Sequence, residues 1–143
     1  MVIVPNIVTD APAMRRNPVF LYYSDRFTRP QAFRPDIVVS IDDVYQQKIE
    51  MLDAHTSQFY EWLPWTTGQV DEVPKDPSAR KTWLATQPIA VSNVRPDWRD
   101  ALDRRYGAEA ARIEHAEAFE ITEYGRQPSE EEIRKLFPFF PTK

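Results

Sequence analysis

Two short runs of β-branched and aromatic residues stand out in the first third of the chain. Val19-Phe20-Leu21-Tyr22-Tyr23 lies between Pro18 and Ser24-Asp25, and Asp36-Ile37-Val38-Val39-Ser40-Ile41 follows Pro35. Both are near-continuous rather than alternating, which predicts strands covered on both faces, as in a parallel sheet. The second run leads directly into a helix predicted over 43–60, with Asp42 or Asp43 as N-cap and an acidic first turn that suits the helix dipole. A strand followed by an amphipathic helix is half of an α/β unit. Downstream, a short helix is expected over 76–86 around Trp83. Another is expected over 96–106, with Pro96 in its first turn, Gly107 just past its end, and Trp98, Leu102 and Tyr106 on one side. The stretch 113–121 alternates like a strand, with Ile113, Phe119 and Ile121 together, while 108–111 can extend the preceding helix. Ser129-Glu130-Glu131-Glu132 is a capping-box pattern before a short helix ending near Pro138. The pattern predicts an α/β fold with two core strands, an amphipathic helix and a proline-rich α+β C-terminal segment, in one domain spanning 1–143.

The helix after Ser40 is the most informative stretch. Advancing ~100° per residue from Val44, Met51, Leu52, Phe59 and Trp62 share one broad arc, and Gln46, Glu50, Asp53, Ser57 and Glu61 lie opposite. Lys48 and His55 interrupt the apolar arc at about 40° and 20°. Two accounts stand. Lys48 snorkels to solvent and His55 is a core histidine bonded to a carbonyl; or the face opens into a cleft where an imidazole and a cation meet an anionic or carbonyl-bearing ligand. The run Phe59-Tyr60-Glu61-Trp62-Leu63-Pro64-Trp65 concentrates aromatic rings at the predicted helix end, with Pro64 as the stop. Trp62 and Trp65 are candidates for stacking on a sugar or lining a subunit interface, and anchoring a loop to the core is the other reading.

Composition narrows the chemistry. At 143 residues, 42% hydrophobic and 28% charged, the chain has the makings of a packed core rather than a disordered segment. A net charge of −4 argues against nucleic acid or an anionic membrane as the main partner. The apolar runs are too short to span a bilayer, and the N-terminus lacks the pattern of a secretory leader, so a cytoplasmic protein is expected. There is no cysteine, which removes disulfides, thiolate zinc sites and a cysteine nucleophile. The three glycines are isolated, which excludes a P-loop and the dinucleotide fingerprint. No serine stands in a Gly-x-Ser-x-Gly elbow. The only histidines are His55 and His115, neither with a second histidine three to five residues away, so no metal ligand is assigned. His115, beside Glu114 and Glu117, reads as structural, and Asp42-Asp43 as capping.

The order Pro18-Val19-Phe20-Leu21-Tyr22-Tyr23, Phe33-Arg34-Pro35-Asp36-Ile37-Val38-Val39-Ser40-Ile41-Asp42, Lys48 and Ala54-His55-Thr56-Ser57-Gln58 resembles the C-terminal half of the PIG-L (LmbE-like) de-N-acetylase family. Ala116-Glu117-Ala118-Phe119 resembles that family's closing Ala-Glu-x-Phe segment. The resemblance covers roughly residues 1–125. It implies a partial Rossmann-like layer and a zinc-dependent hydrolase that removes acetyl groups from N-acetylglucosamine-type substrates. In that family the zinc ligands and the aspartate base come from an N-terminal Ala-His-Pro-Asp-Asp motif, a further His-Pro-Asp-His motif precedes the region matched here, and neither occurs in this sequence. Only Lys48, His55, Ser57 and Gln58 match family positions, as candidate cleft residues without an assigned catalytic role. The expectation is a chain inactive alone, with no cofactor of its own: a truncated, split or remnant product completed by a second copy or a complementing chain. The alternative is a non-catalytic module that binds a carbohydrate, such as an amino sugar, or a protein through 59–65.

Overall fold

The computed structural model describes residues 12–141. They form a mixed α/β structure with three strands, β1 (Val19–Tyr23), β2 (Ile37–Ser40) and β3 (Ala116–Gly125), in the order β1-β3-β2. Five α-helical segments accompany them: α1 (Tyr45–Asp53), α2 (Leu63–Thr66), α3 (Pro77–Ala85), α4 (Arg99–Tyr106) and α5 (Glu130–Leu136). Two compact units result. One comprises the described residues up to Val39, Asp97–Ala111 and those from Ala118 onward; the other comprises Ser40–Pro96 and Arg112–Glu117. No helix among the described residues is long and apolar enough to cross a membrane.

In the first unit the sheet corrects the expected strand direction. β1 runs antiparallel to β3, with Leu21 opposite Ile121 and Tyr23 opposite Phe119. It is an edge strand whose Phe20, Tyr22 and Tyr23 are exposed, so only β2 has the two-sided burial that both runs predicted. A continuous apolar run cannot distinguish a covered strand from an aromatic edge. The ladder is irregular between Val19 and Leu21, where Gly125 adopts a φ of 77°. The third predicted strand begins at Ala116 rather than at 113, after a 3-10 turn over Gly107–Arg112 that replaces the suggested helix extension. Its most buried positions are Ala116, Ala118, Glu120 and Thr122, opposite in phase to the expected apolar side. Phe119 and Ile121 nonetheless pack on the cluster of Ile37, Val39, Ile133 and Phe140, so both faces are covered. The Asp36 carboxylate joins β2 to β3 by accepting the Ile121 N–H at 2.9 Å.

Local signals fared better. α4 follows a 3-10 turn at Pro96–Trp98, buries Trp98 and Leu102, and stops at Gly107 with φ 56°. α5 carries the full capping box, with the Ser129 hydroxyl accepting the Glu132 N–H and the Glu132 carboxylate accepting the Ser129 N–H. α3 opens at Asp76, whose side chain accepts the Ala79 N–H at 2.8 Å.

In the second unit the helix predicted over 43–60 is broken. A 3-10 turn (Asp42–Val44) precedes α1, the chain leaves the helix at Ala54 and His55, and a widened π turn (Ser57–Trp62) leads into α2. Pro64 lacks the N–H that an α-helix would direct at the Tyr60 carbonyl, and the widened turn lies over that stretch. Pro64 therefore sits inside a helical turn instead of ending one. The break also shifts the buried stripe. α1 packs through Tyr45, Lys48, Ile49 and Leu52, while Val44 and Met51 are exposed. This stripe centres about 65° from the expected arc. Ile49, Tyr60, Leu84 and Ala90 form the core, with Phe59 and Trp83 against it.

Candidate functional site

Positions 42, 45 and 48 are spaced three apart, so Asp42, Tyr45 and Lys48 follow one another along one side of the first turns after β2. In the same unit, Val94 donates its N–H to the Glu114 carbonyl and Ala116 donates to the Ser92 carbonyl, making a short antiparallel bridge around Asn93 and His115. Along that extended stretch His115 and Glu117 share a side because side chains alternate. The two rows of side chains meet. Asp42 accepts the N–H groups of His115 at 2.7 Å and Glu114 at 3.2 Å, and its Oδ1 lies 3.0 Å from the His115 Nδ1. The Tyr45 ring stacks on the imidazole with centroids 3.8 Å apart. Desolvation pushes the Asp42 carboxyl up, but the two backbone N–H groups and the imidazole together hold it below the usual carboxylate range.

Lys48 lies one turn further along. Its ammonium donates to the Ser92 hydroxyl at 2.7 Å and to the Glu117 carboxylate at 2.8 Å, and both charged side chains are mostly buried. An aliphatic stem lying along the core with its head on a carboxylate satisfies both demands of a lysine at such a position. Lys48 therefore does not snorkel to open solvent. Asp42 makes no cap bond at the 3-10 turn, and its carboxylate is turned to the 114–115 backbone. That corrects the capping assignment for Asp42.

The other three residues matched by the resemblance lie elsewhere. His55, Ser57 and Gln58 are exposed, and no hydrogen bond or ion pair joins them to Lys48 among the described residues. The His55 ring makes an edge contact with Phe59 at 6.4 Å, so it is neither a core histidine nor the neighbour of Lys48 that the wheel suggested. The break at Ala54–His55 is the cause, because a continuous helix was the premise that aligned the two. Trp62 and Trp65 are 55% and 70% exposed, so the loop-anchor reading does not hold for them. Beside them is an apolar groove of about 190 Å³ lined by Phe59, Leu63, Pro64, Trp83, Leu84 and Ile89, among others.

Sequence reasoning missed the partners Ser92, Glu117 and His115. The usable signal was the three-residue spacing of Asp42, Tyr45 and Lys48 opposite the two-residue spacing of His115 and Glu117. Comparison with protein-family models, with curated proteins and with solved structures gives no match. The zinc that the resemblance implies needs more than these side chains offer. A catalytic zinc takes three protein ligands and an open position. Among the described residues no three histidine, aspartate or glutamate side chains converge, and the Asp42 oxygens are already engaged by N–H groups. The described residues do not fit that metal.

Proposed function

We propose that this chain is the C-terminal, metal-free portion of a PIG-L-like de-N-acetylase domain, in the Rossmann-like layer that family implies, and that it does not hydrolyse amides alone. The supporting observation is the Lys48–Glu117 pair. The lysine of the helix motif and the glutamate of the Ala-Glu-x-Phe segment stand 69 residues apart, yet their charged atoms lie 2.8 Å from one another. Two segments that carry the resemblance thus depend on each other physically. Asp36 of the Pro-Asp-apolar-apolar segment supports the reading in the same way, through the Ile121 N–H just after Ala-Glu-x-Phe. In this role Lys48 and Asp42 are positioning residues that fix β3 and its approach, and the metal and base come from a complementing chain or segment. The substrate class is an N-acetylated amino sugar. The test is release of acetate from an N-acetylglucosamine glycoside in the presence of zinc. The chain alone stays at background, and mixing it with a PIG-L N-terminal half that carries His-Pro-Asp-Asp produces zinc-dependent release. Turnover by the chain alone, or a mixture that binds but stays inert, would overturn the reading.

A second reading rests on Trp62 and Trp65. Two exposed indoles beside an apolar groove suit stacking on a sugar face or docking a protein partner. Titration with glucosamine or N-acetylglucosamine then gives a saturable change in tryptophan fluorescence that Trp62→Ala or Trp65→Ala removes. No saturable change in the intact chain excludes the sugar-binding form.

A further inference from the structure

Arg105 in the first unit is buried well beyond what its partners satisfy. It lies on the packed side of α4 beside Leu102, its side chain is 2% exposed, and its guanidinium stands 5.6 Å over the Phe140 ring. A guanidinium does not shed its proton in a protein, so this burial carries a full charge. Nη2 has one partner group, the Glu130 carboxylate, at 3.3 and 3.4 Å, which is long for charge-assisted bonds. Nε and Nη1 are buried with no hydrogen-bond acceptor among the described residues. Glu130 is itself 70% exposed, so the one carboxylate bonded to Arg105 reaches in from solvent and is loosely held, and Asp36 adds a smaller, longer-range attraction.

Arg105 forms part of the wall of an open cleft of about 660 Å³, together with Arg104, Arg134, Glu130 and Asp103. Burial draws the Arg105 pKa down, Glu130 and more weakly Asp36 oppose this, and Arg104 and Arg134 are near enough to push it down further. Arg134 is held by the Pro141 carbonyl at 3.1 Å, and its other guanidinium donors make no hydrogen bond among the described residues.

We propose that this cleft binds a phosphate-bearing small molecule whose phosphate group displaces the Glu130 carboxylate from Arg105. Glu130 marks where an oxyanion sits and competes with the ligand for that place. Charge balance selects the class. With Glu130 turned outward, the arginines at 104, 105 and 134 face only Asp103 in the cleft, a surplus that a phosphate dianion neutralises and a single carboxylate does not. The planar guanidinium fork matches phosphate oxygens. The volume falls among small-molecule sites and exceeds the needs of a bare ion. This cleft is independent of the deacetylase reading, which rests on the Lys48–Glu117 pair of the other unit.

The test is calorimetric titration of the full chain at physiological salt with inorganic phosphate, phenyl phosphate and acetate. The Arg105 Nε–H resonance is followed in parallel by NMR. Phenyl phosphate is expected to bind tighter than inorganic phosphate, acetate to bind least, and the Arg105 resonance to shift on saturation. Arg104→Gln alters an exposed side chain, and Glu130→Gln keeps a side-chain oxygen that can still accept from Arg105; urea unfolding of both variants checks that the fold is retained before titration. Glu130→Gln is expected to tighten phosphate binding and Arg104→Gln to weaken it, each by up to about fivefold. Absence of phosphate binding, acetate binding as tight as phosphate, or indifference of affinity to Glu130→Gln would each overturn the proposal.

Discussion

Lys48 and Glu117 show what a single charged position can and cannot reveal. The helical pattern picked out Lys48 as a cation among apolar neighbours, but its partner is 69 residues away and no periodicity reaches that far. The same holds for Asp42, whose partners at 114 and 115 turn an apparent cap into a long-range tie. Glu117→Ala leaves the Lys48 ammonium mostly buried with only Ser92, and is expected to cost about 1–2 kcal/mol in urea unfolding. Glu131→Ala removes a pair with Lys135 that lies wholly in solvent, and should leave the midpoint where it is. Tyr60 makes a second residue-scale prediction. Burial, and then its 2.6 Å bond to Asp53, push the phenol up to about 12 from an ordinary 10.0. A folded pKa above the unfolded one means that this stabilisation is complete below pH 10 and disappears as pH rises towards 12. The difference in unfolding free energy between the chain and Tyr60→Phe should therefore shrink across that window. A constant difference would mean the phenol does not titrate there.

At the scale of elements, what was legible is what neighbouring residues decide among themselves. The capping box at Ser129, the stop at Gly107 and the cap at Asp76 all lie within one turn of the residues they bond. The break after Asp53 was not legible, because no glycine or proline stands at Ala54–His55. Pro64 is a separate case: it read as a stop and instead lies inside a helical turn that follows the widened one. Strand β1 depends on Gly125 in a way that spacing alone did not show. A Cβ built there would stand 2.6 Å from the Pro18 carbonyl oxygen and 2.6 Å from the Phe20 ring, at a φ of 77°. Gly125→Ala is thus expected to lower stability by about 2 kcal/mol, combining left-handed strain with the clash. Gly107→Ala has a similar φ but open space around it, and should cost less in the same unfolding assay.

Across the whole chain, the α/β class followed from strands and helices that the pattern placed nearly where they lie, whereas strand direction did not. Direction is set by which distant strand lies alongside, and β3 was read as covered on one face only, whereas Glu120 and Thr122 are buried on the other face as Phe119 and Ile121 pack on the core. The edge position of β1 and the outward-facing indoles leave apolar surface in both units: Phe20, Tyr22 and Tyr23 in one, Trp62, Trp65 and Ile89 in the other. Natural chains blunt strand edges with charge or proline, and Val19–Tyr23 contains neither. Exposed apolar side chains beside an unpaired strand edge favour association with a second copy or a complementing chain. Light scattering across a concentration series is expected to show mass rising with concentration. Trp62→Ala with Trp65→Ala should reduce that rise without moving the urea midpoint, since exposed rings contribute little to folding. If the double variant associates as strongly as the unaltered chain, the indoles are not the contact. The edge of β1 then carries it, and Phe20→Ala with Tyr22→Ala should remove the rise in mass instead.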